Sequence, residues 1–100
     1  MMMHCVYFWM KEGVSPDQEA DFQAALAELT RIDLIKQAHV GPPAPTAERE
    51  VTDHSFHTNM VLFFESQDEH DAYQAHPDHH AFVARCKDLW ERVTVYDTAL

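Results

Sequence analysis

MMMHCVYFWM, residues 1–10, is the stretch on which the fold turns. From Met3 to Met10 two apolar sets alternate, His4, Val6 and Phe8 against Cys5, Tyr7 and Trp9. Successive strand side chains point to opposite faces, so this run reads as a β-strand that is apolar on both. Such a strand must be covered on both sides. The run is too short to span a membrane. It has neither a basic leading segment nor a small-residue cleavage site, and acidic chain follows, so it is not read as a targeting signal.

Beyond Lys11-Glu12-Gly13, the sequence Ser15-Pro16-Asp17-Gln18 starts a helix, with Ser15 as N-cap, Pro16 at N1 and Gln18 completing a capping box. Phe22, Ala25, Leu26, Leu29 and Ile32 give it one apolar stripe, and it is expected to end near Asp33. Leu34 to Val40 reads as a second strand, and the proline-rich segment Gly41 to Asp53 as an exposed loop. His54 to Glu65 is the longest strand candidate, its second half again apolar on both faces. Ser66-Gln67-Asp68-Glu69 opens a short helix running to about Ala75. Pro77 cannot continue that helix but suits the first position of a new one. Phe82, Val83, Cys86, Leu89, Trp90 and Val93 form the new helix's stripe, and Thr94 to Asp97 reads as the last strand.

The order β-α-β-β-α-α-β predicts one α+β, ferredoxin-like domain over residues 1–100, with one antiparallel four-stranded sheet and its helices gathered on one face. The opposite face of the first and third strands is apolar too, and no helix remains to cover it. Two sheets packed face to face would bury it, so the pattern predicts a homodimer forming an α/β barrel between two subunits.

Composition narrows the partners. A formal charge of −10, from 7 basic and 17 acidic residues, gives no basic face for nucleic acid or an anionic membrane. The 2 cysteines, Cys5 and Cys86, lack metal-ligand spacing and sit in apolar settings, as reduced buried thiols do. A cytoplasmic location is the default expectation.

Several short pieces resemble the Dabb family, the stress-responsive dimeric α/β-barrel domains. They are HCVYF at residues 4–8, FFES at 63–66, YQAHPDHHAFV at 73–83, and the closing Val93-Thr94-Val95-Tyr96-Asp97. The resemblance runs the length of the chain and is most specific at Y-x-x-H-P-x-H. It implies the dimeric barrel. It is also similar to a plant polyketide cyclase of that family, which performs an aldol closure without metal or cofactor. That likeness implies His79 and Tyr73 as the catalytic pair. It implies a small-molecule pocket lined by His4, Val6, Phe8, Thr58 and Phe82. The cyclase's third-strand pocket histidine falls on Thr58 here, with His57 one residue earlier. A one-residue change sends a strand side chain to the other face, so the pocket is not fully reproduced.

Helix phase separates the histidines of YQAHPDHHAFV. His79 lies three and four residues before Phe82 and Val83, so it projects from the buried stripe, whereas His80 falls on the flank and His76 at the break. A first-turn, desolvated imidazole resists protonation, while Asp78 alongside favours the charged form. Neutral His79 can take a proton from a carbon next to a carbonyl, with Tyr73 orienting it or donating to the developing oxyanion. Equally, the two residues can satisfy buried polar groups at the helix break. His76 and His80 have zinc half-site spacing, but Pro77 interrupts the helix between them and no third ligand is apparent, so neither metal nor cofactor is expected. His39 and His70 are expected on solvated faces, and His54 and His57 at the exposed start of a strand.

Two readings follow. One is a cofactor-independent cyclase, isomerase or lyase acting on a small carbonyl compound. The other is a non-catalytic barrel that binds a small molecule or serves structurally. A solvent-reachable cavity lined by Tyr73 and His4 would favour the first.

Overall fold

The computed structural model describes residues Met1–Leu100. In chain order it contains β1 (Met2–Met10), α1 (Pro16–Leu29), β2 (Gln37–Gly41), β3 (Thr58–Phe64), α2 (Gln67–Gln74), α3 (Pro77–Cys86) and, after one 3-10 turn at Lys87–Leu89, β4 (Trp90–Ala99). The four strands form one antiparallel sheet in the order β2-β3-β1-β4. The fold is ferredoxin-like, with the two doubly apolar strands, β1 and β3, at its centre.

The local signals act as their chemistry requires. Ser15 Oγ accepts from the Gln18 amide at 3.1 Å, and the Gln18 side chain accepts from the Ser15 amide at 2.9 Å. Ser66 caps α2 by accepting from the Glu69 amide. Phe22, Leu26 and Leu29 of α1 pack against Phe8, Met60, Leu62 and Phe64 of the sheet and Phe82 and Cys86 of α3. Arg85 of α3 donates to Asp21 and Glu28 of α1, holding the two helices side by side. Cys5 and Cys86 are buried and unpaired, and burial pushes both thiols up, Cys86 to about 11.

Four boundaries differ from the sequence expectation. Helix α1 stops at Leu29 rather than near Asp33, because the Arg31 and Ile32 amides turn back to Glu28 and Leu29 in tighter turns that still bury Ile32. Strand β2 begins at Gln37 rather than Leu34, since Leu34 and Ile35 pack against the core and the Ile35 amide bonds to Ile32. Strand β3 begins at Thr58 rather than His54. Its partner β2 ends opposite Asn59, where Pro42 and Pro43 bring no amide donors. The largest difference is at the end. The helical stripe expected through Val93 stops at Cys86, and β4 starts at Trp90. Strand β1 offers β4 an open ladder as far as Met10, and Val93, Thr94, Val95 and Tyr96 favour extended backbone.

Directly opposed residues share a sheet face. His4, Val6, Phe8, Met60 and Leu62 therefore lie under the helices, and Val93, Val95 and Asp97 share their side of the sheet on the exposed edge strand β4. Met3, Cys5, Tyr7, Trp9, Val61, Phe63 and Tyr96 lie on the other face, which no helix covers. There Tyr7 meets Phe56 and Tyr96 edge to face, and Arg92 lies 4.0 Å over the Trp9 ring.

Candidate functional site

The sheet register places His4 between Leu62 of β3 and Asp97 of β4. His4 is 4% exposed, and its Nδ1 lies 2.5 Å from Asp97 Oδ1. A carboxylate only accepts, so His4 Nδ1 carries the proton and Nε2 the lone pair. Burial holds the His4 pKa below its ordinary value, outweighing the pull of Asp97.

Helix α2 adds His70 and Tyr73, three residues apart and so on one face. The His70 ring lies 4.8 Å from that of His4, and the Tyr73 ring 6.1 Å. His70 Nδ1 is 3.0 Å from Asp71 Oδ1, which leaves Nε2 as the lone-pair nitrogen, buried and without a partner. Tyr73 is 1% exposed, and burial raises its hydroxyl pKa well above the ordinary 10.0.

The break between α2 and α3 positions His79. His76 is the N-cap of α3, its Nδ1 accepting from the Asp78 amide at 3.0 Å, and Pro77 takes the first turn. The His79 and His80 amides both return to the His76 carbonyl, and the His79 ring stands edge-on to Tyr73 at 4.9 Å. His79 Nδ1 is buried and unpartnered. Desolvation first, then His80, His4 and His70, lowers the His79 pKa. His80 is exposed on the flank.

The residues named from sequence divide into three groups. Tyr73, His79 and His4 come together. Val6, Phe8 and Phe82 are close-packed core at 5%, 2% and 6% exposure, and Phe82 also borders a separate cavity of about 270 Å³ between α1 and α3, away from His4 and Tyr73. Thr58 sits opposite Phe8, four positions from Leu62, or roughly 13 Å along β3. It belongs to another polar group, in which its hydroxyl meets Gln23 and His57, and His57 Nε2 meets Glu19 at 3.0 Å. His70 is not on a solvated face: its side chain is 13% exposed, and it was detectable as the α2 residue in phase with Tyr73. Asp97 needed the register of β4 to reveal it. A cavity of about 360 Å³ borders the cluster on the His70 side, with Met2, Gln67, Asp71, Asp97 and Thr98 among its walls. Tyr73, His79 and His4 do not line it. No helix is long and apolar enough to cross a membrane.

Comparison with known proteins agrees with this architecture. A dimeric ferredoxin-like protein of unknown function from Thermobifida fusca is 26% identical, with a TM-score of 0.79 over 99% of this chain and 90% of that one. A protein from Arabidopsis thaliana is 25% identical, with a TM-score of 0.82 over 100% and 95%. The hydroxynitrile lyase of Passiflora edulis superposes with a TM-score of 0.84 over 99% and 92%, but at 18% identity it speaks to fold alone. Among curated proteins none matches the sequence. The model of the stress responsive A/B barrel domain matches residues 2–100, and the chain belongs to that family.

Proposed function

We propose that this domain is an acid–base catalyst acting on a small carbonyl compound, as a lyase, isomerase or cyclase, with His79 as the base and Tyr73 as its partner. One observation carries the reading: His4, His70, Tyr73 and His79 converge beneath the helices where a structural core would be apolar, and two of their nitrogens are buried without partners. An unsatisfied buried polar atom costs about 1–3 kcal/mol, a cost that a bound ligand with hydrogen-bonding groups would remove. The shifts are consistent with these roles. Lowered, His79 is neutral at pH 7 and can accept a proton. Raised, Tyr73 keeps its proton and donates to an oxyanion rather than acting as a base. In the proposed step His79 removes the proton next to the carbonyl, the C–H electron pair becomes an enolate, and Tyr73 O–H stabilises its oxygen. A lyase acting on a hydroxylated carbon would use the same base on an O–H.

The burial of Tyr73 favours a second reading, a non-catalytic barrel in which the pair only fills the helix break. A thermal-shift screen of keto acids, aromatic carbonyls and polyketide-like compounds separates the two. The catalytic reading expects a compound that raises the wild-type melting temperature and leaves His79→Ala unmoved. If no compound shifts the wild type, or one shifts both proteins equally, the second reading stands.

The assembly belongs to the same proposal. The uncovered face of Met3, Tyr7, Trp9, Val61, Phe63 and Tyr96 is closed by a second copy, as the dimeric relative from Thermobifida fusca suggests. A stable, soluble monomer in sedimentation at micromolar concentration would contradict this.

A further inference from the structure

We infer that His4, His70 and Asp97 form a binding site for one divalent transition-metal ion of the zinc type, apart from the His79–Tyr73 pair. One ligand atom from each of the three lies within 4.8 Å of the other two. His70 contributes the strongest independent evidence. Its Nδ1 is engaged by Asp71, so its lone pair sits on Nε2, which is buried and meets no donor. A Lewis acid would satisfy it. The Asp71–His70 contact is also the carboxylate–imidazole pairing that orients a metal-bound histidine.

His4 and Asp97 already face one another through Nδ1 and Oδ1. On binding, the ion takes the place of the Nδ1 proton, which moves to Nε2, so the imidazole stays neutral. Ligands around a tetrahedral zinc ion stand about 3.3 Å apart. The 2.5 Å separation of His4 and Asp97 must open towards that value, which a rotation of the half-exposed Asp97 carboxylate would allow. Two imidazole nitrogens and one carboxylate oxygen suit zinc and its neighbours better than magnesium or calcium. The cavity of about 360 Å³ bordered by His70, Asp71 and Asp97 supplies an entry path. It leaves room for a fourth, water ligand. The chain's charge of −10 favours any cation's approach.

The test is titration of chelator-stripped protein with Co²⁺, followed by displacement with Zn²⁺. The expected result is one Co²⁺ per chain with the visible absorption of a low-coordinate ion, lost when Zn²⁺ replaces it. His70→Gln and Asp97→Ala are expected to weaken binding by on the order of 100-fold or more, and Asp71→Asn by about 10–100-fold. His54→Gln and His80→Gln should bind as the wild type does. Asp71 and Asp97 are both exposed, so their variants keep the test valid if His70→Gln folds poorly. A spectrum that stays that of the hydrated ion overturns the proposal. So does unchanged affinity in Asp97→Ala and Asp71→Asn, or affinity that falls instead with His54 or His80, which would mark adventitious surface binding. The readout involves no turnover, so it can fail while the acid–base reading stands, and the reverse.

Discussion

The space between sheet and helices has two ends, both built on β1, α3 and β4, with α1 completing one and α2 the other, to opposite specifications. At one end Phe8, Phe22, Phe82 and Trp90 close on one another with ring centroids 5.1–6.4 Å apart. At the other, α2, the first turn of α3 and the far half of β1 bring His4, His70, Tyr73 and His79 together beside Asp97. Both ends are buried, so burial does not distinguish them. Stability resides in the first, where apart from the buried, unpartnered Trp90 indole N–H the side chains offer dispersion and area. The second gives up some of that gain to hold three imidazoles and a phenol in a largely desolvated setting.

The contrast can be broken most visibly at the aromatic end. Phe8→Ala is expected to cost about 3–5 kcal/mol in chemical denaturation, as large aromatic deletions do in packed cores. A loss below about 1 kcal/mol would mean that this end is not the stabilising one. Tyr73→Phe keeps the ring and removes only the hydroxyl, so stability should change by no more than about 1 kcal/mol while ligand response is lost. Equal loss of stability and ligand response would make Tyr73 structural.

Proton linkage sharpens the comparison further. The folded pKa of His79, like that of His4, lies below the unfolded 6.5, so the unfolded chain binds more protons as pH falls through that value. With chelator present, stability should be full above pH 7 and decline as pH falls through 6.5 towards 5. It should level off beneath the native pKa values. His79 faces His80, His4 and His70, each of which disfavours the charged form of the His79 imidazole. His79→Ala should flatten the slope, measured as denaturation midpoint against pH, and an unchanged slope would remove His79 from the account. The smallest effect belongs to Arg85→Ala. It releases Asp21 and Glu28 at the surface and should move the midpoint less than any change above.

Much of this was legible from local pattern. The two-faced strand at residues 3–10 implied both a helix-covered and a helix-free side. The capping box at Ser15 and the proline at 77 placed the helix starts, and helix phase singled out His79 from His76 and His80. What local pattern could not supply was pairing. Trp90 and Val93 fit helical spacing from Phe82 as well as they fit a strand, and the free edge of β1 decided between the two. Asp97 became a partner of His4 only through that same ladder. Thr58 was assigned to the pocket by likeness, whereas the register sets it opposite Phe8, at the aromatic end. His70 was hidden for a different reason: a polar residue in a strongly charged short helix reads as solvated until the helix is seen to turn it inward.

The central claim is that His79 is a neutral base held beside a protonated tyrosine, and the most direct measurement is an NMR pH titration of the His79 imidazole in metal-free protein. The account requires a midpoint below the ordinary 6.5, with a signal that is absent from His79→Ala. A midpoint at or above 6.5 would contradict the desolvated, neutral base on which the catalytic reading rests.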